Sequence, residues 1–173
     1  PSRSRGRASQ GRVSRTLRAA CLTPYGGRQS ASGARSTPTR AATARLAASL
    51  KIPLFDLDDL KQLDLTVDGA DEISPDLTLI KGAGGALLRE KIVASASQRM
   101  IVIADDAKLV ATLGVFPLSV EIAPFAHRTT MARVAAVAAR AGCAENLTTL
   151  RGGEAHPFRT DQGNFVADLH ARL

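Results

Sequence analysis

Aromatic side chains are scarce in this 173-residue chain, which has five phenylalanines, one tyrosine and no tryptophan. Tyr25 alone cannot give the first 35 residues the interleaved rings that stack on nucleic-acid bases. Cysteine is equally sparse. Cys21 and Cys143 belong to no CxxC pair and have no histidine at ligand spacing. A disulfide framework and a zinc site are therefore excluded, and a reducing compartment suits the chain. Long apolar runs are missing too: a stretch such as Met100–Ala104 falls far short of the ~20 residues needed to span a bilayer. No charged start leads into an apolar stretch of the secretory-signal type. The length fits one ordinary domain, or one domain with an appendage, and suffices for a sizeable core.

Acid is absent from one end only. Residues 1–50 hold ten Arg, no Lys and no Asp or Glu, whereas residues 51–173 hold thirteen basic and sixteen acidic residues. The overall charge of +7 and the pI of 10.2 thus average a +10 piece with a −3 piece. A uniformly basic nucleic-acid-binding domain is ruled out, and no specific nucleic-acid partner is expected. Residues 1–35 are rich in Arg, Ser, Gly and Ala without a hydrophobic period. Too little apolar surface is present there to offset the entropy of ordering, so the segment reads as a disordered basic tail. A cationic arm for polyanions, an organelle transit peptide and an extension foreign to the fold (the chain opens on Pro1 rather than Met) remain as readings.

From Ser36 the pattern changes. Ser36-Thr37-Pro38-Thr39 offers capping oxygens for a helix over Thr39–Leu50. Ile52–Phe55, Leu63–Asp68 and Leu77–Ile80 read as strands, Ala86–Gln98 as a helix, and Met100–Ala104 as a strand buried on both faces. This alternation predicts an α/β fold with a Rossmann-like, mostly parallel sheet. Beyond Phe116 the order is strand Leu118–Ile122, helix Thr129–Ala141 and strand Asn146–Leu150. A hairpin then turns at Asp161-Gln162-Gly163 between Phe158–Thr160 and Asn164–Leu169. The expected units are a tail (1–35), an α/β catalytic domain (36–115) and a smaller, incomplete α+β domain (116–173).

The densest polar cluster is Asp68-Gly69-Ala70-Asp71-Glu72, at the carboxyl end of a predicted parallel strand, the edge where α/β sheets bind ligands. Three carboxylates so close repel one another unless a ligand, metal or buried network uses them. Taken alone the cluster fits an acidic surface turn as well. Lys81-Gly82-Ala83-Gly84-Gly85 follows the next strand and opens a helix. Glycines there let backbone amides approach an anion, and Lys81 adds a positive charge. The spacing is neither a P-loop nor GxGxxG, and a flexible connector is the plain alternative. Glu90, between Arg89 and Lys91, belongs either to a solvated helix face or to the pocket of the strand-end aspartates. His127, His156 and His170 form no metal set and read as surface or fold residues, and Asp105-Asp106 as a helix-capping turn.

Six blocks in order resemble ribose-5-phosphate isomerase, type A: Asp68–Glu72, Leu79–Leu87, Arg89–Ala94, Ile103–Lys108, Leu113–Glu121 and Asp161–His170. The resemblance runs from about Ser36 to His170. It implies an enzyme without metal or cofactor that interconverts ribose 5-phosphate and ribulose 5-phosphate through an enediolate, in the non-oxidative pentose phosphate pathway. Glu90 matches the general base that carries a proton between C1 and C2. Lys81 and the amides from Gly82 through Ala83 and Gly84 to Gly85 match the groups that meet the developing oxyanion. Asp68 and Asp71 match carboxylates that hold sugar hydroxyls, and Lys108 a lysine at the phosphate end. Asn164 and Asp168 match small-domain positions to which no catalytic role is assigned. The implied partner is a small sugar phosphate, the implied assembly a dimer or tetramer, and the implied location the cytoplasm, or an organelle under the transit-peptide reading.

The departures carry expectations of their own. Ala83 stands where the family has a second glycine. The family's first strand and glycine–threonine–serine phosphate loop have no counterpart in residues 1–35, where Tyr25-Gly26-Gly27 is a poor substitute, and the segment completing the small domain is absent. The chain is thus expected to be truncated at both ends, with an unpaired sheet edge or cavity and weakened phosphate binding that impairs kcat as well as KM. Two alternatives to the enzyme are the sugar-phosphate effector domain of a transcription regulator and an inactive binding remnant. A regulator would need a helix-turn-helix, and residues 1–35 show none.

Overall fold

The computed structural model describes residues 36–60, 62–143 and 147–171. The basic-tail reading of residues 1–35 lies outside them. The architecture is α/β, with helices beside one parallel strand pair and a smaller antiparallel sheet toward the carboxyl end.

Helix α1 (Ala41–Ser49) is a run of good helix formers, as predicted. Its cap differs from expectation: Arg40 occupies the N-cap position with no side-chain cap bond, and the Ser36 hydroxyl instead donates to the Pro53 carbonyl at 2.7 Å. The strand expected over Ile52–Phe55 reduces to one bridge between Leu54 and Ser36.

Strand β1 (Thr66–Asp68) pairs in parallel with β4 (Met100–Val102), Thr66 facing Met100 and Asp68 facing Val102. Helix α2 (Leu87–Ser95) lies on the connection between them, and its Val93 packs with Leu60, Leu63 and Leu57. Burial of the Met100–Ala104 run is corrected. Among the described residues β4 pairs with β1 alone, so Met100, Ile101 and Ile103 remain exposed.

Strand β3 (Leu79–Ile80) falls within the expected Leu77–Ile80 strand, but it pairs antiparallel with β2 (Glu72–Ile73), a strand the sequence reading did not contain, instead of joining the parallel pair. The reason is length. A parallel connection needs a dozen or more residues, and only Ser74–Thr78 lies between them. That turn is closed by the Ser74 amide donating to the Thr78 carbonyl at 3.0 Å.

The second sheet has the order β5 (Leu118–Ile122), β7 (Phe165–His170), β6 (Leu147–Leu150), all antiparallel, with α3 (His127–Arg140) against it. Central β7 is buried from Phe165 to Leu169. Phe165 and Ala167 meet Ile122 and Leu150, with Val120 and Met131 against them. Alternation sends the neighbouring residue Asp168 to the other face, where it stands opposite Ser119. Phe158–Thr160 forms no strand; the Thr160 and Gly163 amides close the turn that leads into β7. No helix of the described residues is long and apolar enough to cross a membrane.

Phe165→Ala empties the centre of this core and should destabilise the protein by about 3–5 kcal/mol. Urea unfolding followed by circular dichroism measures it, and an unchanged midpoint would contradict the packing described.

Candidate active site

Asp68 ends β1 at the carboxyl edge of the parallel pair, and Lys81 follows β3 directly. The two strands bring these side chains together from thirteen positions apart. The Lys81 ammonium lies 2.8 Å from Asp68 Oδ2, 2.6 Å from the Gly69 carbonyl that accepts from it, and 3.4 Å from Glu90 Oε2. Asp68 Oδ1 accepts from the Gly69 amide at 2.7 Å, which fixes the carboxylate at the strand end. Asp71 Oδ2 accepts from the Ala83 amide at 2.9 Å, tying the acidic cluster to the glycine loop. The third carboxylate takes another course. Glu72 is buried and accepts from the Gly114 amide at 2.7 Å and from the Phe116 amide, so it fastens β2 to the loop that leads into Leu118–Ile122.

These groups line a cleft of about 360 Å³. Of the sequence candidates, Asp68, Asp71, Lys81, Gly82, Ala83, Gly84 and Glu90 all contribute to its wall. Lys108 is not among the lining residues; it ends the short turn Asp106–Lys108, which Asp105 caps by accepting from the Ala107 amide at 2.9 Å. The three histidines also lie outside the lining: His127 meets Glu154 and the Pro124 carbonyl, and His170 meets Thr149.

The loop shape explains its composition. Gly82 has φ +115°, and a Cβ there would stand 2.8 Å from that of Ser119. At Gly85 (φ +75°) a Cβ would strike the Phe158 ring at 2.5 Å. Ala83 is not among the residues with positive φ, so its methyl group is accommodated at the family's glycine position.

Two arginines escaped the sequence reading. Arg40 lines the cleft and donates to the Gly84 carbonyl at 2.9 Å. Its only sequence signal is a positive charge at a helix N-terminus, where the helix dipole disfavours it and some other partner is needed. Arg151 reaches the loop from behind and donates to the carbonyls of Gly82 and Ala83, each at 3.1 Å. Nothing in its Arg-Gly-Gly surroundings announces this. Glu121 of β5 also reaches across: its Oε2 accepts from the Leu88 amide at 3.2 Å, capping the N-terminus of α2 that Ala86 leaves without a side-chain cap. Thr160 Oγ1 at 2.7 Å and Asn164 Nδ2 at 2.9 Å hold the other oxygen of Glu121.

Burial sets the ionisation of the pair at the centre. Burial pushes Glu90 above the ordinary carboxylate value, and the nearby charge of Asp68 adds to this, while Lys81 and Arg40 pull the other way. For Lys81 burial opposes the charge, yet its bond to Asp68 and the negative charges of Glu90 and Asp68 outweigh burial and hold the ammonium above its usual value. The cleft therefore presents a carboxylate of raised basicity beside a fixed positive charge. Such a pair can take a proton from carbon and stabilise the negative oxygen that results.

The model of the family ribose 5-phosphate isomerase A (phosphoriboisomerase A) matches residues 35–173. This chain belongs to that family. It is 57% identical over 131 residues to ribose-5-phosphate isomerase A of Parvibaculum lavamentivorans, covering 76% of this chain and 57% of that protein. Among solved structures, ribose 5-phosphate isomerase A of Neisseria gonorrhoeae superposes with a TM-score of 0.69 at 36% identity, covering 79% of this chain and 56% of that one. A D-ribose-5-phosphate isomerase in complex with phospho-erythronic acid gives a TM-score of 0.71 at 34% identity, with 80% and 59% covered. The chain thus spans little more than half the length of the family members it matches. The regulator alternative finds no support in these matches.

Because Lys81 lowers the basicity of Glu90, Lys81→Met should raise the Glu90 pKa further. Carboxyl-carbon NMR titration of labelled glutamate measures it; a downward movement would contradict the arrangement of charges described.

Proposed function

We propose that the chain carries the isomerase chemistry of its family, interconverting ribose 5-phosphate and ribulose 5-phosphate. The observation that carries this reading is the Asp68–Lys81–Glu90 array: a half-buried carboxylate of raised basicity and an ammonium face one cleft. The phospho-erythronic acid bound by a structural relative is a four-carbon sugar-acid phosphate, of the same chemical class as the proposed substrate.

In the proposed reaction Glu90 removes the proton from C2 of the open-chain aldose, and negative charge develops on O1. Lys81 and the loop amides meet that oxygen, which lowers the barrier because they are in place before charge appears. The enediolate then takes the proton back from Glu90 at C1, while a proton passes from O2 to O1 to give the ketose. Asp68 and Asp71 hold the hydroxyls and assist that transfer. Lys108 is placed at the phosphate end on the resemblance alone. Residues 36–115 supply the reacting groups in this reading, and residues 116–173 support them. A homo-oligomer and a cytoplasmic or organellar location belong to the same proposal.

Conversion of ribose 5-phosphate by the purified chain tests the reading. Glu90→Gln should lower kcat by ~10²–10⁴-fold with little effect on KM. Equal, clearly enzymatic rates for both proteins would sink the assignment of Glu90. A raised carboxylate pKa leaves more of the base protonated at a given acidic pH. The acid limb of kcat/KM should therefore lie above the ordinary glutamate value of 4.5.

A further inference from the structure

The guanidinium of Arg151 makes a complete set of contacts. Nε donates to Asp168 Oδ2 at 2.8 Å and Nη2 to Asp168 Oδ1, a two-pronged pairing. Nη2 also donates to Ser119 Oγ at 2.6 Å, and Nη1 to the carbonyls of Gly82 and Ala83 at 3.1 Å each. Five bonds use the five N–H donors that an arginine possesses. Both members of the ion pair are largely buried, with side chains 16% and 11% exposed. The Phe158 ring that closes off Gly85 lies with its centroid 5.6 Å from the guanidinium carbon.

The consequence lies on the opposite side of the loop. A trans peptide points its C=O and the next N–H in opposite directions, and no described peptide bond is cis. Turning the Gly82 carbonyl onto Arg151 therefore turns the Ala83 amide toward the cleft, where it reaches Asp71 Oδ2 at 2.9 Å. By the same geometry the Ala83 carbonyl on Arg151 sends the Gly84 amide that way. Lysine could not substitute, since an ammonium offers three donors from one atom and no planar fork.

We propose that Arg151, oriented by Asp168 and Ser119, is a positioning residue that holds the Gly82–Gly84 peptides with their amides turned into the cleft, the arrangement the transition-state oxyanion requires. The link to catalysis rests on the isomerase reading; the effect on the loop does not.

Two variants, Arg151→Lys and Asp168→Asn, and a control, Arg128→Gln, whose pair with Glu154 is exposed, test this in the full chain. Amide hydrogen exchange in the free protein should quicken by ~10-fold or more at Ala83, whose amide is bonded to Asp71, as the loop gains local openings, while Val166 and Leu169 of β7 keep their protection. If the wild type isomerises ribose 5-phosphate, Arg151→Lys should lower kcat by ~10²-fold while KM moves less than about threefold, because only the oxyanion contacts are lost. An inactive wild type would defeat the isomerase reading and leave the exchange data to decide the clamp. An active wild type with unchanged loop exchange or unchanged kcat in Arg151→Lys would overturn the clamp and leave that reading standing. Should both variants fail to fold, Ser119→Ala removes one donor contact without stranding a charge. Its Ala83 amide should still exchange faster than that of the wild type, and equal rates would overturn the proposal.

Discussion

One ammonium group sits where three parts of the chain meet. Lys81 touches the carboxylate at the end of β1, the carbonyl of the next residue and the carboxylate of Glu90 on α2. A lone charge so removed from water would be unfavourable, and two carboxylates so close would repel each other. Together the three groups are tolerable, since attraction to Asp68 and Glu90 exceeds the desolvation that opposes the lysine's charge. Removing Lys81 would leave the two carboxylates facing each other uncompensated, so this one ammonium ties the strand end, the hairpin and the helix into one electrostatic unit.

The contacts around this unit come from two directions. Asp71 and Arg40 grip the glycine loop on the cleft side, while Arg151 and Glu121 grip the loop and the helix start from the antiparallel sheet. Residues far apart in sequence thus share one task. The glycines are the permissive element: Gly82 and Gly85 accept positive φ and allow Ser119 and Phe158 to come close.

The legible part of the sequence was local. Asp68, Asp71, Lys81 and Glu90 lie in short motifs at the end of a strand and the start of a helix, and the structure brings them to one cleft. Helix-favouring, Ala-rich composition likewise indicated α1 and α3. What failed depended on partners the sequence does not show. The apolar run Met100–Ala104 suggested burial, yet exposure depends on which strands lie alongside. Leu79–Ile80 looked like another parallel strand because a two-residue strand carries no sign of its direction. Arg151 and Glu121 are ordinary charges until folding sets each against a backbone group tens of residues away.

Glu121 has one more consequence. The helix that carries Glu90 receives part of its N-terminal capping from a different sheet, and Glu121 is in turn steadied by the turn that leads into β7. The first turn of a helix is normally where fraying begins. Here fraying would have to break the bond to a carboxylate held by the neighbouring layer, which couples the first turn of α2 to the antiparallel sheet. The stiffness of the cleft is borrowed from a layer that contributes no residue to its wall.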